Sequence, residues 1–339
     1  MLPIARYRLH WQATTPIHFP AYAGSMLRGA FGHALRRISC MTRQKDCVGC
    51  PLLSTCPYPA IFAPAAVEHS LQRFTQIPAP YLIEPPAWGE SSLAPGTTFS
   101  FNLVLCGRAL KELPLITLAF RQALQRGIGP GDGQAELIAI HQQTGLDESA
   151  SNCQEALVYQ PADGHFAPHS PTIPNPPTLA SEEITLHLRT PLRLQENGHA
   201  LPPNRLTART LLMAAIRRVS LMAEFHGAGA PAWDYTELKR QAAAVNDKKD
   251  LKWQDWTRRS ARQQQTMKLG GVVGSWTLHG ELSPFLPALH WGQWLHIGKE
   301  TVFGLGGYVL EHKSTPPAAN QDHPLQTTER MEENVTVQY

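Results

Sequence analysis

Four of the six cysteines are crowded into one short segment, with the spacing Cys40-x6-Cys47-x2-Cys50-x5-Cys56. Four thiolates close a tetrahedral zinc site, and a C-x2-C pair gives the tight turn that such sites use. In a cytoplasmic chain, crowded cysteines indicate a metal rather than disulfides. We therefore predict a structural Zn²⁺ on these four residues. The spacing alone leaves an iron–sulfur cluster open.

A second segment with chemical potential is rich in glycine and runs from His296 to Tyr308 (HIGKETVFGLGGY). Glycines allow backbone torsions that other residues avoid and let another chain approach closely. With Lys299 and His296 at its mouth, such a loop suits phosphates, which bare amides and one lysine can cradle. The spacing matches neither the Walker nor the Rossmann glycine pattern. We therefore predict an extended polyanion as ligand, and the alternative is a glycine-rich turn that only packs.

Basic side chains are concentrated in two regions, although the net charge is only +3. Residues 1–45 carry seven Lys/Arg and no Asp/Glu, and residues 205–268 carry thirteen basic against six acidic side chains. This asymmetry favours an acidic partner, with two solvated helix faces as the alternative. In the second region Trp253 and Trp256 interleave with arginines. Arginines grip RNA phosphates and tryptophans stack on unpaired bases, while packing is the alternative for either Trp. The arginines concerned are Arg209, Arg217, Arg218, Arg258, Arg259 and Arg262.

The elements that must position these groups fall into two halves, and the length allows two ordinary domains. In residues 1–142 the periodicity predicts the order βαββαβ, which is the ferredoxin-like pattern, interrupted by the cysteine insert 40–58. The predicted elements are a strand at 5–14, a helix at 24–38, strands at 81–84 and 97–106, a helix at 113–126 and a strand at 135–142.

Residues 143–182 form a predicted Pro-rich linker, and residues 183–312 repeat the βαββαβ order more loosely. The predicted elements there are a strand at 183–194, helices at 203–226 and 235–245, a basic run to Lys268, a strand at 272–282, a helix at 284–291 and a last strand at 308–310. The tail 313–339 is polar, which predicts disorder. The sequence shows neither a signal peptide nor a long apolar run, so we expect a cytoplasmic protein without a membrane partner.

Several motifs in the same order resemble one known family. They are the segment 298–307 before the last strand, the first helix 22–36, the cysteine insert 47–58 and the short runs 190–193, 260–263 and 271–274. Over residues 1–310 the chain resembles the CRISPR-associated endoribonucleases of the RAMP superfamily, in a subgroup with a four-cysteine insert. Members of this family cut precursor CRISPR RNA within its repeats.

The resemblance implies an α+β fold of tandem ferredoxin-like (RRM-like) domains with a Cys-rich metal-binding insert and a C-terminal glycine-rich loop. It implies metal-independent attack by the ribose 2′-OH, which leaves a 2′,3′-cyclic phosphate and a 5′-OH. The implied partners are CRISPR repeat RNA, either folded as a hairpin or unpaired, and other subunits of an effector complex. The alternative is a non-catalytic RAMP subunit that binds guide RNA.

The resemblance also assigns residues. His33 stands at a matching place for the general acid–base, since histidine titrates near pH ~6.5, with a surface histidine as the alternative. Tyr22 would orient the scissile phosphate, with packing as the alternative, and His296 would contact RNA or support the loop. Lys299 would stabilise charge, and His18 is a further candidate. A zinc-bound insert would hold His33 in place. The predicted RNA contacts are Arg28, Arg36, Arg37, Arg217, Arg218, Arg258, Arg259, Arg262, His296, Gly298, Gly304 and Gly306.

Overall fold

The computed structural model describes residues 2–64, 77–145, 154–171, 182–260 and 265–312, with the backbone alone at 257–260 and 265–268. It confirms the α+β class and the two ferredoxin-like units. The helices are α1 (Gly24–Ser39), α2 (Pro57–Phe62), α3 (Leu113–Arg126), α4 (Ala208–His226), α5 (Tyr235–Ala242) and α6 (Leu286–Leu295). The first-half strands are β1 (Ile4–Ala13), β2 (Ile17–Phe19), β3 (Tyr81–Glu84), β4 (Ser91–Leu93), β5 (Thr98–Cys106), β6 (Ala135–Gln143) and β7 (Glu155–Tyr159). The second-half strands are β8 (Glu183–Leu192), β9 (Gln195–Glu196), β10 (His199–Ala200), β11 (Asn246–Gln254), β12 (Thr257–Ser260), β13 (Gln265–Lys268), β14 (Gly271–His279) and β15 (Tyr308–His312).

The first domain is an antiparallel sheet in the order β3-β5-β1-β6-β7, with α1 and α3 on one face. The alternation of β1 sends Tyr7, Leu9 and Trp11 into the core beneath these helices. The next residues in the alternation, Arg8 and His10, therefore lie on the opposite face. This leaves a polar strip on a sheet that is otherwise covered.

The second domain repeats the topology, with sheet order β11-β14-β8-β15 and helices α4 and α6 packed together. The two domains share one hydrophobic cluster. In it Leu2, Ile4 and Val104 of the first sheet join the side chains beneath α4. The polar strip on the first sheet begins beyond the residues that this shared hydrophobic cluster buries.

Two predicted segments differ from the structure. The linker 143–182 contains β7, which pairs with β6 as a fifth strand. The expected basic run after α5 contains β11, which pairs with β14 and completes the second sheet. Strand β11 is charged and half-exposed at the sheet edge, so it lacks the apolar alternation that reveals a strand. The predicted disordered tail 313–339 and Arg262 lie outside the described residues.

No helix within the described ranges is both long enough and apolar enough to cross a membrane.

Candidate nucleic-acid interface

The glycine-rich loop (298–307) connects α6 to β15 and packs against β3 and the start of α1. Gly298, Gly304 and Gly306 all have positive φ, at 95°, 89° and 74°. A Cβ at Gly304 would lie 2.6 Å from the carbonyl oxygen of Ile83, and one at Gly306 would collide with that of Ile297. These glycines are therefore required for close backbone packing within the protein.

The backbone amides of this loop are largely occupied. The donors to acceptors inside the protein are the N–H groups of Ile297, Lys299, Phe303, Gly304, Gly306 and Gly307. Residues 303–308 are also buried. These six amides are therefore committed to protein acceptors, and the predicted RNA contacts of Gly304 and Gly306 stay a prediction. The signal was ambiguous, because glycine serves a close protein backbone as well as a close ligand.

Tyr22 is buried at the junction of the loop with α1. Its hydroxyl donates a 2.7 Å hydrogen bond to the carbonyl oxygen of Phe303. The ring lies against Trp88 and Trp256, at 4.9 and 5.0 Å between centroids. Burial, with the Glu84 carboxylate nearby, raises the pKa of Tyr22 well above its ordinary value. Tyr22 therefore packs at the junction of the two domains, which is the alternative to its predicted catalytic role; the catalytic role stays a prediction.

His296 is also committed inside the protein. It is 4% exposed, with Nδ1 3.2 Å from the carbonyl oxygen of Leu305 and Nε2 3.2 Å from Oε1 of Glu84. Glu84 in turn accepts a 2.7 Å hydrogen bond from Nε of Arg6. Burial raises the pKa of Glu84, but Arg6 and His296 outweigh burial and hold it well below its usual range. Its partners are therefore protein groups, so His296 supports the loop, and its predicted RNA contact stays a prediction.

Two arginines of α1 bind protein groups rather than solvent. The guanidinium of Arg28 lies 4.2 Å from the ring centroid of Phe62 and 5.2 Å from that of Phe303, so it bridges α2 and the glycine-rich loop. Arg36 donates to the carbonyl oxygens of Gln44 and Lys45 in the cysteine segment. Both contacts connect α1 to the insert and its junctions, and the predicted RNA contacts of the two arginines stay predictions.

The cysteine loop (40–56) presents its thiols near one another. Partial burial raises the pKa of Cys47, and the nearby charge of Arg36 lowers it. The thiols of Cys56, Cys40 and Cys50 raise it further. The N–H of Cys50 donates to the carbonyl oxygen of Cys47, which closes the expected C-x2-C turn. The donor set therefore fits a tetrathiolate ion. No three of these sulfurs lie within 4.8 Å of one another, so binding of an ion would require the loop to tighten.

His33 and Lys299 are both exposed, but the structure does not bring them together. Residues on an α-helix advance ~100° per position, so His33 lies on the opposite side of α1 from Gly24, nine positions earlier. The side bearing Gly24 meets Phe303 of the glycine-rich loop. His33 shares the solvent side of α1 with Arg37, which is also exposed.

The arginines of the second domain divide in the same way. Arg209 and Arg217 are exposed on α4. Arg218 donates from Nε to the carbonyl oxygen of Leu295, 3.1 Å away. Burial lowers the pKa of Arg218 to about 10, with a small opposing effect of Cys106. Arg218 is therefore engaged inside the protein, and its predicted RNA contact stays a prediction. Arg258 and Arg259 belong to the β12–β13 hairpin.

Comparisons with known proteins match the two halves of the chain to two different family models. A family model named AF_1859_N, an N-terminal domain, matches residues 2–171. The model of the CRISPR-associated endoribonuclease Cas6 matches residues 186–308. The second domain is therefore similar to the Cas6 endoribonucleases. No curated protein sequence matches the chain.

Solved structures agree with the Cas6 assignment at the level of the fold. A Cas6 product complex has a TM-score of 0.53 at 15% identity, over 91% of this chain and 100% of that chain. Thermus thermophilus Cas6 has a TM-score of 0.50 at 14% identity, over 92% and 99% of the two chains. A partial Cas6-RT-Cas1–Cas2 complex has a TM-score of 0.52 at 15% identity, over 92% of this chain and 46% of that chain.

The exposed surface around the glycine-rich loop has a cation and aromatic side chains. Lys299 is exposed, and Trp88 and Trp253 are each 37% exposed. Trp88 was missed from the sequence, because its loop (85–90) carries no motif; its place against Tyr22 is visible only in three dimensions. Trp256 is 7% exposed and packs, as its alternative reading expected.

Proposed function

We propose that the chain cleaves CRISPR precursor RNA within its repeats by attack of a ribose 2′-OH on the adjacent phosphate. The products are a 2′,3′-cyclic phosphate and a 5′-OH, and no metal takes part in the chemistry. The observation that carries the proposal is the match of the Cas6 endoribonuclease family over residues 186–308. That segment includes the glycine-rich loop, which docks on α1 of the first domain.

The reaction needs a base at the 2′-OH, an acid at the leaving 5′-oxygen and a cation for the phosphorane charge. Tyr22 and His296 are engaged by protein partners, which leaves His33 and His18 as the histidines on or beside α1. The Nδ1 of His18 lies 2.8 Å from Oγ of Ser92, on the exposed side of β2. We assign the proton transfers to His33, with His18 as the second candidate, and the charge stabilisation to Arg37, which is exposed on the same side of α1 as His33. Lys299, in the loop that meets the opposite side of α1, is assigned to RNA binding.

RNA binding is assigned to exposed groups that flank the glycine-rich loop and α4. Lys299, Arg37 and Arg217 supply phosphate contacts, and Trp88 and Trp253 supply stacking surfaces. Arg258 and Arg259, which belong to the β12–β13 hairpin, are assigned to RNA binding as well. One similar solved structure is a Cas6 product complex and another is a partial Cas6-RT-Cas1–Cas2 complex. This supports RNA and other CRISPR subunits as partners.

The cysteine loop would hold a structural zinc ion through Cys40, Cys47, Cys50 and Cys56. The chemistry that such an ion supplies is cross-linking of the loop, since four thiolates leave no open position. Helix α2 packs on α1, so a tightened loop would hold that part of α1 in place. His33 lies there, next to Gly32.

The experiment is cleavage of a labelled cognate repeat RNA with EDTA in the reaction, comparing wild type, His33→Ala and His18→Ala. The zinc content of the protein is measured after the reaction, so that an effect of EDTA on the fold is seen separately. We expect wild type to give a 2′,3′-cyclic phosphate product and His33→Ala to lose cleavage while binding RNA.

Each other outcome has a defined meaning. Loss in His18→Ala but not in His33→Ala would move the proton transfers to His18. Cleavage that requires added Mg²⁺ would refute the metal-independent reaction. Tight binding without cleavage by any of the three proteins would refute the nuclease and leave a guide-RNA-binding subunit.

A further inference from the structure

Three side chains with metal-ligating atoms meet on the polar strip of the first sheet. They are His10 on β1, His141 on β6 and Glu155 on β7, and their ligand atoms all lie within 4.8 Å of one another. In the part of the chain that the structure describes, this is the one set of three or more His, Cys, Asp or Glu side chains that lies so close. None of the three belongs to the surface assigned to RNA.

The two histidines leave buried nitrogens without partners. Nε2 of His10 and Nδ1 of His141 are shielded from solvent and have no hydrogen-bond partner among the described residues. The two rings meet edge to face, with centroids 5.0 Å apart. Buried polar atoms are nearly always satisfied, and an orphaned one costs ~1–3 kcal/mol. Two orphaned nitrogens in one cluster therefore point to an absent ligand.

Glu155 is held in place by donors on one of its oxygens. Oε1 accepts from Nη1 of Arg8 at 3.1 Å and from Nε2 of Gln143 at 2.7 Å. Such outer contacts orient ligands at metal sites. The positive charge of Arg8 would repel a metal ion at this site, but that charge is already paired with the Glu155 carboxylate.

The backbone is irregular at both histidines. The β1–β6 register shifts between His10 and Trp11, and the β6–β7 register shifts between Ile140 and His141. Bulges re-aim side chains and are over-represented next to functional sites. Here each shift adjoins a cluster residue, and three paired strands fix the geometry more rigidly than a loop would.

We propose that His10, His141 and Glu155 bind one divalent transition-metal ion, with Zn²⁺ as the ion that the donors fit best. Two imidazoles and one carboxylate form a familiar three-residue zinc set that leaves a fourth position for water. Imidazole donors disfavour Mg²⁺ and Ca²⁺, which prefer oxygen ligands. The site is separate from the cysteine loop and has no step in the proposed RNA cleavage.

The test is a Co²⁺ titration of the metal-stripped full chain, because Co²⁺ reports its ligands in absorption spectra. Cobalt on thiolates gives intense sulfur-to-metal charge transfer, whereas cobalt on two histidines and a carboxylate gives ligand-field bands alone. We expect one ion per chain of the second kind, displaced by Zn²⁺. His10→Ala and Glu155→Gln should each lose that ion and keep any thiolate signal. The matched control His199→Ala, an exposed histidine on β10, should keep it.

Two results would overturn the site. One is a wild-type protein that binds no cobalt outside the thiolate signal. The other is an unchanged ligand-field band in both His10→Ala and Glu155→Gln. Circular dichroism of the stripped proteins establishes that each variant is folded. If His10→Ala is not folded, Glu155→Gln decides the question, because it keeps the shape of an exposed side chain.

Discussion

The hydroxyl of Tyr22 donates a 2.7 Å hydrogen bond to the carbonyl oxygen of Phe303, which lies 281 positions later in the chain. This bond joins the start of α1 to the turn inside the glycine-rich loop. Gly24 supports the same junction, because a Cβ there would collide with the Phe303 carbonyl oxygen. The glycine-rich loop of the second domain therefore packs closely against the first domain.

Tyr22→Phe should weaken the fold without disabling chemistry. It leaves a buried carbonyl without its donor, so we expect the free energy of unfolding to fall by ~1–3 kcal/mol. Single-turnover cleavage at saturating RNA should stay within about twofold, because the hydroxyl is engaged and its raised pKa disfavours proton transfer. Urea unfolding and single-turnover kinetics measure the two quantities.

Tyr308→Phe is the control for this change. Its hydroxyl donates a 2.6 Å bond to the carbonyl oxygen of Leu289, within the second domain. It should cost a similar free energy and leave the domain junction intact. A large loss of cleavage rate in Tyr22→Phe alone would support a catalytic role for Tyr22.

The sequence located the glycine-rich loop but could not decide whether its glycines serve RNA binding or protein packing. Glycines permit close approach of RNA or of protein backbone, and only the fold brings Ile83 against Gly304, 221 positions away. Helices α1 and α3 were placed to within a residue, because their apolar period is strong. Strand β11 was missed because an exposed edge strand has no buried face to reveal it.

Residues that are adjacent in sequence can also lie in different environments. Arg217 and Arg218 differ by one position on α4, and one is exposed while the other reaches the end of α6. His10, His141 and Glu155 have no motif spacing, because three strands from different parts of the chain bring them together. Side-chain environment of this kind depends on tertiary packing, which local pattern does not encode.

Acid should weaken the domain junction through Glu84. Its folded pKa is depressed, so its carboxylate contributes stability above the unfolded value near ~4.3, and this is lost as the pH falls further toward the folded pKa. Glu84→Gln leaves Arg6 and His296 without their anion, which we expect to cost ~3–5 kcal/mol near neutral pH. Urea unfolding of both proteins at pH 7 and below pH 4 should show the difference shrinking in acid.

The exposed pair Arg205–Glu196 provides the comparison, with side chains 62% and 55% exposed. Glu196→Gln should change the free energy of unfolding by less than ~1 kcal/mol at either pH. Equal effects of the two substitutions would show that the Glu84 contacts do not stabilise the junction.

The pair Arg217 and Arg218 separates RNA contact from packing. Arg217→Ala should leave stability within ~0.5 kcal/mol, weaken RNA binding and reduce the salt slope of the affinity by about 1. Arg218→Ala removes the donor to the Leu295 carbonyl oxygen and should destabilise the fold by ~1–3 kcal/mol. Binding isotherms at several salt concentrations, beside urea unfolding, measure both. The assignment is wrong if Arg218→Ala alone changes the salt slope.

Gly32→Ala should uncouple the cysteine loop from α1. Alanine favours a helix over glycine by ~1 kcal/mol, but a Cβ here would collide with the Phe62 ring of α2. We expect the displaced α2 to loosen the cysteine loop, so that the protein binds less zinc and melts at a lower temperature. Zinc removal from wild type should likewise lower its melting temperature, because the ion binds the folded loop.

Gly29→Ala is the matched control on the same helix, since nothing lies within 4 Å of a Cβ at that position. It should keep the zinc and stabilise the protein by ~0.5–1 kcal/mol. Zinc analysis after gel filtration and thermal unfolding with and without chelator compare the two variants. If Gly32→Ala keeps its zinc and gains the same stability, the α1–α2 contact does not support the loop. A difference confined to Gly32→Ala would place the insert's stability in the packing of Phe62 on α1, beside His33.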